Sequence, residues 1–283
     1  MFKFILNNLL KILVVVLLAF GVFGGGGFIA YRLFFKKPDF YLMDANQPVI
    51  TPTPDPGIEM LAQAKRELAG GNQVYAEDLL RSLIRSFPNS IKSDEAKKLL
   101  GDLNINAFFS PAPDSGKSEY FVVRGDSIAK IANKTKTPAE LIFKANNLGS
   151  LTIQPGERLI IPKGQFSMTI TAKNGEVSLL NNGDFFRWYK PVAVKLPAKP
   201  AVGLFKMKEK IAWSNGLRVS FGEKKYLGSS RWIVINDYAI TLYSETNPET
   251  PNAQRPATGI MLSPPDMEEL YALVTKDTPI IVK

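Results

Sequence analysis

Hydrophobic positions follow a helical spacing in the first half of the chain and an alternating spacing in the second. Leu61, Ala64 and Leu68 recur every three to four residues and predict a helix that stops at Gly70-Gly71. Between residues 166 and 172, apolar and polar side chains alternate, which predicts a strand. The pattern therefore predicts an α+β chain of several domains, with helices first and strands last.

An uncharged stretch precedes the helical region. Residues 12–31 carry no charge over 20 positions, and about 20 apolar residues let a helix cross the hydrocarbon layer of a bilayer. Four glycines at 24–27 lower helix propensity, although membrane helices tolerate glycine. The alternative is a cleaved signal peptide, whose apolar core is usually about 7–15 residues long. The longer stretch and its basic flank favour an uncleaved transmembrane anchor over residues 1–37.

Two proline-containing stretches divide the rest of the chain. The first linker, 38–57, has four prolines from residue 48 onward and favours an extended, semi-rigid spacer. The second linker is 109–118. Between them, residues 58–108 carry three apolar stripes at helical spacing, and Ser93 is placed to cap the third helix.

The segment 58–108 resembles the helix pair of tetratricopeptide repeats, followed by one further helix. The resemblance covers about one and a half repeats, whereas solenoid repeats usually need about three to be stable alone. We therefore expect the segment to pack against a neighbouring domain or to dock an envelope protein partner. A helical spacer that holds the next domains away from the membrane is the alternative interpretation.

Residues 119–163 predict a small module with the order βααβ. A β-rich run begins at Tyr120, and Ser127 can cap a first helix. The stretch 137–140, Thr-Pro-Ala-Glu, has the form of a capping box with proline at the first position of a second helix. Pro155-Gly156 is a turn signal before the last strand.

This pattern resembles a LysM domain over its whole length. In that family, polymers that contain N-acetylglucosamine lie in a shallow groove between the loop after the first strand and the loop before the last. Carried over by position, these loops comprise Gly125, Asp126, Ser127 and Ile128, and then Leu151, Thr152, Ile153, Gln154 and Pro155. Loop backbone can satisfy an N-acetyl amide, and the two isoleucines can supply an apolar patch for its methyl group. Alternatively, Asp126 and Ser127 only cap the helix and the isoleucines lie in the core.

Residues 165–283 predict a mainly β domain. Asn-Gly pairs at 174–175, 182–183 and 215–216 are strong hairpin signals, because type I′ turns require positive φ at both central residues. One late helix, near 266–275, precedes a final strand. Three tryptophans are expected in the core rather than on a sugar-binding surface: Trp188, Trp213 and Trp232.

The terminal domain resembles the L,D-transpeptidases, which cross-link bacterial peptidoglycan. The resemblance is carried by residues 199–205, by Tyr226-Leu227-Gly228 leading to Arg231-Trp232, and by the closing runs 266–274 and 278–282. The family's reactive signature is Ser/Thr-His-Gly-Cys followed by an arginine. Here that place reads Ala257, Thr258, Gly259, Ile260, Met261 and Leu262. The family's second histidine would fall near Thr241 or Leu242.

The chain contains neither cysteine nor histidine. A thiol is a usable nucleophile because a nearby imidazole helps it to ionise, whereas Ile260 has no atom that can attack and Thr258 is no base. Ser263 carries a nearby hydroxyl, but without a positioned base we interpret it as a helix cap. We therefore predict no catalytic residue and a pseudoenzyme. The alternative is an active cell-wall transpeptidase or carboxypeptidase with a non-standard nucleophile.

Charge and composition add some exclusions. The formal net charge is +9 and the isoelectric point is about 9.5, which favours polyanionic partners such as wall polymers or anionic lipids. The basic residues are scattered and nothing resembles a nucleic-acid-binding module, so we predict no nucleic-acid partner. Without cysteine, the chain has no disulfide and no lipoprotein acylation site. We predict no cofactor and no metal site.

The leading hypothesis is a membrane-anchored peptidoglycan-binding protein. It would be a single-pass protein of the bacterial inner membrane, with its C-terminal part in the periplasm or cell envelope. The orientation follows from the resemblance, because basic residues flank the uncharged stretch on both sides. The degenerate domain would serve as a binding or scaffold module. The second hypothesis is the active cell-wall enzyme with a non-standard nucleophile, and the third is an envelope adaptor that recruits a partner through residues 58–108.

Overall fold

The computed structural model describes residue 11 and residues 54–112, 116–235, 240–244 and 256–283. The chain divides into a unit of residues 1–54 and a unit of residues 55–283, and the second contains nearly all described residues. The predicted transmembrane stretch, 12–31, and most of the first linker lie outside the described residues. Within the described part of the chain, no helix has the length and apolar character needed to cross a bilayer.

Three helices begin the second unit: α1 (Pro56–Ala69), α2 (Gln73–Ser86) and α3 (Ser93–Phe109). Asp55 caps α1 by accepting a hydrogen bond from the Gly57 N–H at 2.9 Å. The helix ends at the predicted glycine pair. Small and branched apolar side chains from the inner faces form one core: Leu61, Ala64, Ala76, Leu80, Leu83, Ala96 and Leu100.

The prediction that Ser93 caps α3 is wrong. Lys92 has right-handed helical dihedrals, φ −99° and ψ −2°, and takes the cap position. The Ser93 N–H donates to the Ser90 carbonyl at 3.0 Å, so a turn precedes the helix and carries Ser93 into its first residue. Among the described residues, the buried Ser93 hydroxyl has no hydrogen-bond partner.

The next module has the predicted βααβ order: β1 (Lys117–Phe121), α4 (Ile128–Thr135), α5 (Ala139–Ala145) and β2 (Arg158–Pro162). The strands pair antiparallel from Lys117 with Pro162 to Phe121 with Arg158. Both helices cover one face of this ribbon, where a compact core collects: Val122, Ile128, Ile131, Ile142, Leu159 and Ile161.

The two predicted helix caps in this module have different outcomes. Ser127 caps α4 by accepting from the Lys130 N–H at 3.3 Å, as expected. The capping box at 137–140 does not form, because Pro138 precedes α5 and the Thr137 hydroxyl donates to the Thr135 carbonyl instead. Glu140 points away from the helix start and accepts from the Tyr226 hydroxyl at 2.8 Å. A contact with the terminal domain has therefore replaced a local cap.

The terminal domain contains two sheets and one helix, α6 (Pro264–Leu273). The five-stranded sheet has the order β5-β4-β3-β13-β7: Asp184–Tyr189, Val177–Asn181, Phe166–Ile170, Ile280–Val282 and Gly203–Phe205. The six-stranded sheet has the order β6-β12-β11-β10-β8-β9: Ala193–Lys195, Gly259–Met261, Ile240–Tyr243, Ser230–Ile235, Met207–Ser214 and Leu217–Val219. The largest apolar core of the described residues draws on both sheets and on α6.

Two of the three Asn-Gly pairs form the expected turns. Asn182-Gly183 joins β4 to β5 and Asn215-Gly216 joins β8 to β9, with φ values of 52° and 86°, and of 51° and 78°. At Asn174-Gly175 only the glycine has positive φ, 72°. The Asn174 carboxamide oxygen instead accepts from the Glu176 N–H at 3.2 Å, which favours a longer connection between β3 and β4.

The helices and the small module pack directly onto the terminal domain. Helix α3 lies along β5, where the Asn104 carboxamide donates to the carbonyls of Phe185 and Phe186 at 3.2 and 2.9 Å. At its end, the Phe108 ring contacts those of Phe166 and Phe186, each with centroids 5.5 Å apart. Helix α5 packs against α6. The helical segment therefore packs against a neighbour, which was one of the two expectations for it.

Candidate glycan-binding loops and the position of the family's cysteine

The first predicted loop turns sharply after β1. Gly125 has φ 88°, a value that favours glycine, and lies at the exposed tip. The Asp126 N–H donates to the Val123 carbonyl at 3.1 Å and closes the turn. The exposed backbone at this tip is therefore held in one shape before any ligand arrives.

Asp126 is the anchor of this loop rather than an open ligand-binding group. Its carboxylate accepts hydrogen bonds from the Tyr120 hydroxyl at 2.8 Å, the Val123 N–H at 3.1 Å and the Lys134 ammonium at 2.8 Å. The Lys134 hydrogen bond first, and then those of Val123 and Tyr120, lower the pKa of Asp126 from 3.8 to about 2. The side chain is only 4% exposed, so its acceptors are already used.

Ser127 and Ile128 complete the first loop and have structural roles. Ser127 caps α4, and the Lys130 ammonium reaches back to the Gly125 carbonyl at 2.7 Å. Ile128 is 2% exposed and belongs to the core of the module. Of the two readings of Ile128, the structure supports the core position, and its side chain does not form an apolar patch for a ligand methyl group.

The second predicted loop is more open. Thr152, Gln154 and Pro155 are exposed, whereas Leu151 and Ile153 are half-buried. Ile153 packs on the edge of the module core. The Ser150 hydroxyl donates to the Thr152 carbonyl and accepts from the Thr152 N–H, both at 3.2 Å. This loop therefore presents polar side chains and half of the predicted apolar patch.

The fold brings the two loops to the same end of the ribbon. The Gly156 N–H donates to the Val122 carbonyl at 2.8 Å, and the Val122 N–H donates to the Glu157 carbonyl at 2.9 Å. The start of the first loop is thus hydrogen-bonded to the end of the second. Loops placed side by side in this way can offer backbone donors and acceptors to one shallow ligand.

Sequence reasoning missed two exposed apolar side chains beside these loops. Phe121 and Val123 are 60% and 54% exposed. The signal was present in β1, because Tyr120 and Val122 alternate with them and turn toward the module core. An exposed phenylalanine next to polar loops can pack on the apolar face of a sugar ring.

The position that matches, by resemblance, the cysteine of the L,D-transpeptidase signature lies inside the core of the terminal domain. Ile260 is completely buried, in β12, and pairs with Leu242 of the parallel strand β11. Leu262, at the place of the family's arginine, is 1% exposed. Gly259 leaves no room for a side chain, since a Cβ there would lie 2.5 Å from the Thr241 carbonyl oxygen. The strand is therefore a close-packed element.

Threonines stand at or near the positions of the family's two histidines. Thr241 is fully buried, and within the described ranges its Oγ1 has no hydrogen-bond partner. Thr258 is half-buried and precedes β12. The predicted degenerate positions thus lie on β11, on β12 or directly beside β12, and they surround hydrocarbon rather than a reactive group.

Ser263 has the structure expected of a helix cap. Its Oγ accepts from the Asp266 N–H at 3.3 Å and donates to the Asp266 carboxylate at 2.7 Å. Ser263 precedes α6, and prolines occupy the first helical positions. The hydroxyl is engaged in the cap, which agrees with the interpretation made from the sequence.

A buried charge network that the sequence did not indicate joins α3, β5 and α6. The Arg187 guanidinium contacts the Asp102 carboxylate and donates through Nε to Glu269 Oε1 at 2.9 Å. The Tyr189 hydroxyl donates to the same Glu269 oxygen at 3.0 Å. Burial raises the pKa of Glu269, and the charge of Arg187 opposes that effect. The network fastens the first helices to the terminal domain.

Comparison with known proteins decides the nature of the βααβ module. The family model of the LysM domain matches residues 120–162. These residues form a LysM domain. The match confirms the resemblance read from the sequence, and its bounds lie within the predicted 119–163.

The chain also matches curated relatives in part. The N-acetylmuramoyl-L-alanine amidase sle1 of Staphylococcus aureus, in strains USA300 and NCTC 8325, is 32% identical over 106 residues. The match covers 37% of this chain and 31% of the amidase, so the chain spans about a third of the length of these relatives.

Solved structures similar to this chain are L,D-transpeptidases. An enzyme from Enterococcus faecium has 16% identity and a TM-score of 0.29, covering 42% of this chain and 50% of its own. L,D-transpeptidase 1 from Mycobacterium tuberculosis has 14% identity and a TM-score of 0.28, covering 45% and 68%. These neighbours belong to the family whose motifs the terminal domain resembles, and likenesses of this size carry no conclusion about the activity of the chain.

Proposed function

We propose that the protein binds peptidoglycan through its LysM domain and performs no transpeptidation. In this proposal the LysM loops contact the N-acetylglucosamine-containing glycan, and the terminal domain is a catalytically inactive binding or scaffold module. Residues 1–37 anchor the chain in the bacterial inner membrane, with the LysM and terminal domains in the periplasm or cell envelope. The LysM match at 120–162 carries the proposal.

The geometry of the loops supports glycan binding. The two loops adjoin through the hydrogen bonds between Val122 and residues 156–157, and their tips are exposed. A shallow site of this kind buries little area, so one LysM domain should bind with modest affinity. The polar residues Thr152 and Gln154 and the exposed ring of Phe121 are the side chains best placed to contact a sugar.

The composition of the chain and the packing of β12 support the absence of transpeptidation. The chain has no thiol and no imidazole anywhere in its 283 residues. The residue at the nucleophile position is an isoleucine with no exposed surface. An acyl-enzyme route needs a nucleophile and a base within reach of each other, and the Ser263 hydroxyl is held by Asp266 in a helix cap.

Sedimentation with purified sacculi tests the glycan-binding proposal. The full chain in mild detergent should co-sediment with sacculi, and Thr152→Trp, which places a bulky ring on the second loop, should weaken binding about tenfold, or roughly 1.4 kcal/mol. Asn133→Trp is the matched control, because Asn133 is exposed on α4 of the same domain. Equal binding by wild type and Thr152→Trp would contradict the assignment of the loops.

Mass spectrometry tests the absence of transpeptidation. After incubation with donor muropeptides or with a carbapenem, the intact chain should keep its unmodified mass. A covalent adduct would overturn the proposal, and Ser263→Ala would then show whether that hydroxyl carries it.

Cell fractionation tests the membrane anchor. The full chain should stay with the membrane after an alkaline wash, and protease added to spheroplasts should remove the LysM and terminal domains. Release of the chain by the wash, or protection of its C-terminal part, would contradict the anchor or its orientation respectively.

A further inference from the structure

A cavity of about 190 Å³ lies where the LysM domain meets the terminal domain. Helix α5 forms one wall, α6 forms another, and the 3₁₀ turn Lys224–Tyr226 with the start of β10 closes the third. The apolar surface of the cavity is mainly aromatic: Phe143, Phe221, Tyr226 and Tyr271. Neither Ile260 nor the predicted LysM loop residues are part of the cavity lining.

A buried arginine lines this cavity without an acidic partner. Arg231 is 4% exposed, and its guanidinium donates to the Ser229 carbonyl at 3.1 Å, to the Ser229 hydroxyl and to the Tyr226 carbonyl at 3.1 Å. The rings of Tyr226 and Tyr271 lie 4.0 and 5.5 Å from its Cζ. Among the described residues, no carboxylate comes within 4.0 Å of its nitrogens to form a salt bridge.

One acidic residue of the cavity lining is paired with a different cation. Glu140 accepts from the Tyr226 hydroxyl at 2.8 Å and lies 3.9 Å from the Lys210 ammonium. Lys210 in turn lies 4.1 Å from the centroid of Tyr271. Glu140 is therefore paired with Lys210, and the other two charged residues of the lining, Lys144 and Glu268, carry opposite charges. Arg231 is left as a buried cation of the lining with no carboxylate partner among the described residues. A buried charge is costly unless it is paired, so an anionic ligand beside Arg231 would be stabilised.

We propose that this cavity binds the carboxylate-bearing terminal residue of a short peptide. An arginine fork matches a carboxylate better than other buried cations do, and the aromatic walls suit the small apolar side chain next to it. At about 30 Å³ per water, the cavity holds about six waters, which is close to the size of one amino-acid residue. Lys144 and the exposed Glu268 also line the cavity and are placed to contact the preceding peptide unit.

The proposed function suggests a source for this ligand. If the chain holds peptidoglycan, the stem peptides of the wall bring free carboxylates of D-amino acids close to the LysM domain. The cavity and its charge do not depend on that suggestion, so the source is tested separately from the site.

Titration calorimetry with the full chain in detergent tests the site. The probes are N-acetyl-D-alanyl-D-alanine with a free carboxylate, the same dipeptide as its C-terminal amide, and the all-L dipeptide acid. We expect the D,D acid to bind at least about tenfold more tightly than the amide, or roughly 1.4 kcal/mol. Equal affinity of acid and amide, or no binding of either, would overturn the proposal. Preference for the L,L acid would support the site and identify a peptide that does not come from the wall.

A blocking variant keeps the test independent of folding problems at Arg231. Leu227 lines the cavity and is 43% exposed, so Leu227→Trp fills the space without removing a charge. It should abolish dipeptide binding, whereas Leu217→Trp, at a site 67% exposed on the edge strand β9, should leave it unchanged. Wild-type dipeptide binding by Leu227→Trp would refute the location.

The two proposals fail separately. Thr152→Trp should lose sacculus binding and retain dipeptide binding, and Leu227→Trp should show the reverse. If wild-type chain binds the dipeptide but not sacculi, the proposed function fails and the cavity stands.

Discussion

The LysM loops and strand β12, which holds the position of the L,D-transpeptidase cysteine, are two regions that the sequence singled out, and they differ in how charge and hydrocarbon are placed. In the LysM domain, a charged residue, Asp126, organises a surface loop whose tip stays exposed. On β12, hydrocarbon fills the position of the reactive group, and Ile260 has no exposed surface. A binding surface needs exposed backbone, whereas a strand without a reactive side chain can lie entirely in the core. The difference explains why the LysM loops offer a candidate site and why the residues of β12 are packed.

The ion pairs of the two domains also differ, because the Arg187–Glu269 pair is buried whereas Lys134, the partner of Asp126, is exposed. Replacing Arg187 should therefore have the largest effect on stability. Arg187→Met leaves Glu269 buried without its cation, and removing one partner of a buried pair costs roughly 3–5 kcal/mol. Urea denaturation of the full chain should show this loss. Arg85→Met, at an exposed position on α2, is the control and should stay near wild type. A loss at Arg187 no larger than that of the control would show that the network contributes little.

Shortening Ile260 tests whether this position contributes to the core as its burial indicates. Ile260→Ala removes buried methyl groups and should cost about 2–5 kcal/mol in the free energy of unfolding. Ile281→Ala on β13, where the side chain is 42% exposed, should cost clearly less. Equal losses at the two positions would mean that β12 is less tightly packed than the complete burial of Ile260 indicates.

Restoring the family's cysteine sharpens the comparison further. Ile260→Cys would be the single thiol of the chain, and we expect it to resist a maleimide in the native state and to react once the chain is unfolded. Leu204→Cys, at a position 74% exposed, should react at once. Rapid native labelling at 260 would place the position in an open site instead.

Removing the Ser263 hydroxyl should lower the stability of the fold moderately and should not change sacculus binding. Loss of an N-cap costs about 1 kcal/mol, so Ser263→Ala should lower the free energy of unfolding by about that amount and leave sacculus binding intact. Ser263→Asn restores a capping side chain and should recover most of the loss. A large loss of binding with unchanged stability would favour a direct role for the hydroxyl.

The smallest effect is expected from the hydrogen bonds of Asp126 to Tyr120 and Lys134. They should influence glycan binding only at acidic pH. Because the folded pKa of Asp126 is lowered from 3.8 to about 2, its stabilisation is complete above 3.8 and is lost as the pH falls toward about 2. Binding of chitooligosaccharide by wild type should therefore hold at pH 4 and weaken near pH 2. Asp126→Asn should flatten that profile, whereas Asp277→Asn, at an exposed residue before β13, should not.

Local signals in the sequence predicted much of the LysM domain. The βααβ order, the Ser127 cap and the adjacent loops depend on residues close to one another along the chain. The capping box at 137–140 failed because Glu140 found a partner, Tyr226, that lies 86 positions away. Ser93 failed as a cap because the preceding turn already had helical dihedrals. In both cases a local propensity was overridden by backbone or tertiary context.

The candidate sites divide in the same manner. The sequence placed Ile128 and Ile153 together as an apolar patch, but folding put the first in the core and left the second at its edge. The cavity around Arg231 could not be predicted, because its walls come from α5, β10 and α6, which meet only when two domains pack. Trp188 and Trp232 are buried as expected, and Trp213 packs beside Trp232 with centroids 5.5 Å apart.

The sequence by itself determined that no thiolate or imidazole chemistry is available, because the chain contains neither group, and that a βααβ module follows a helical segment. The tertiary structure alone decided which predicted residues are accessible and which charges are matched. Burial and long-range partners arise only when distant segments pack, so Asp126 became an anchor, Ile260 became core, and Arg231 came to line a cavity beside another domain's helix.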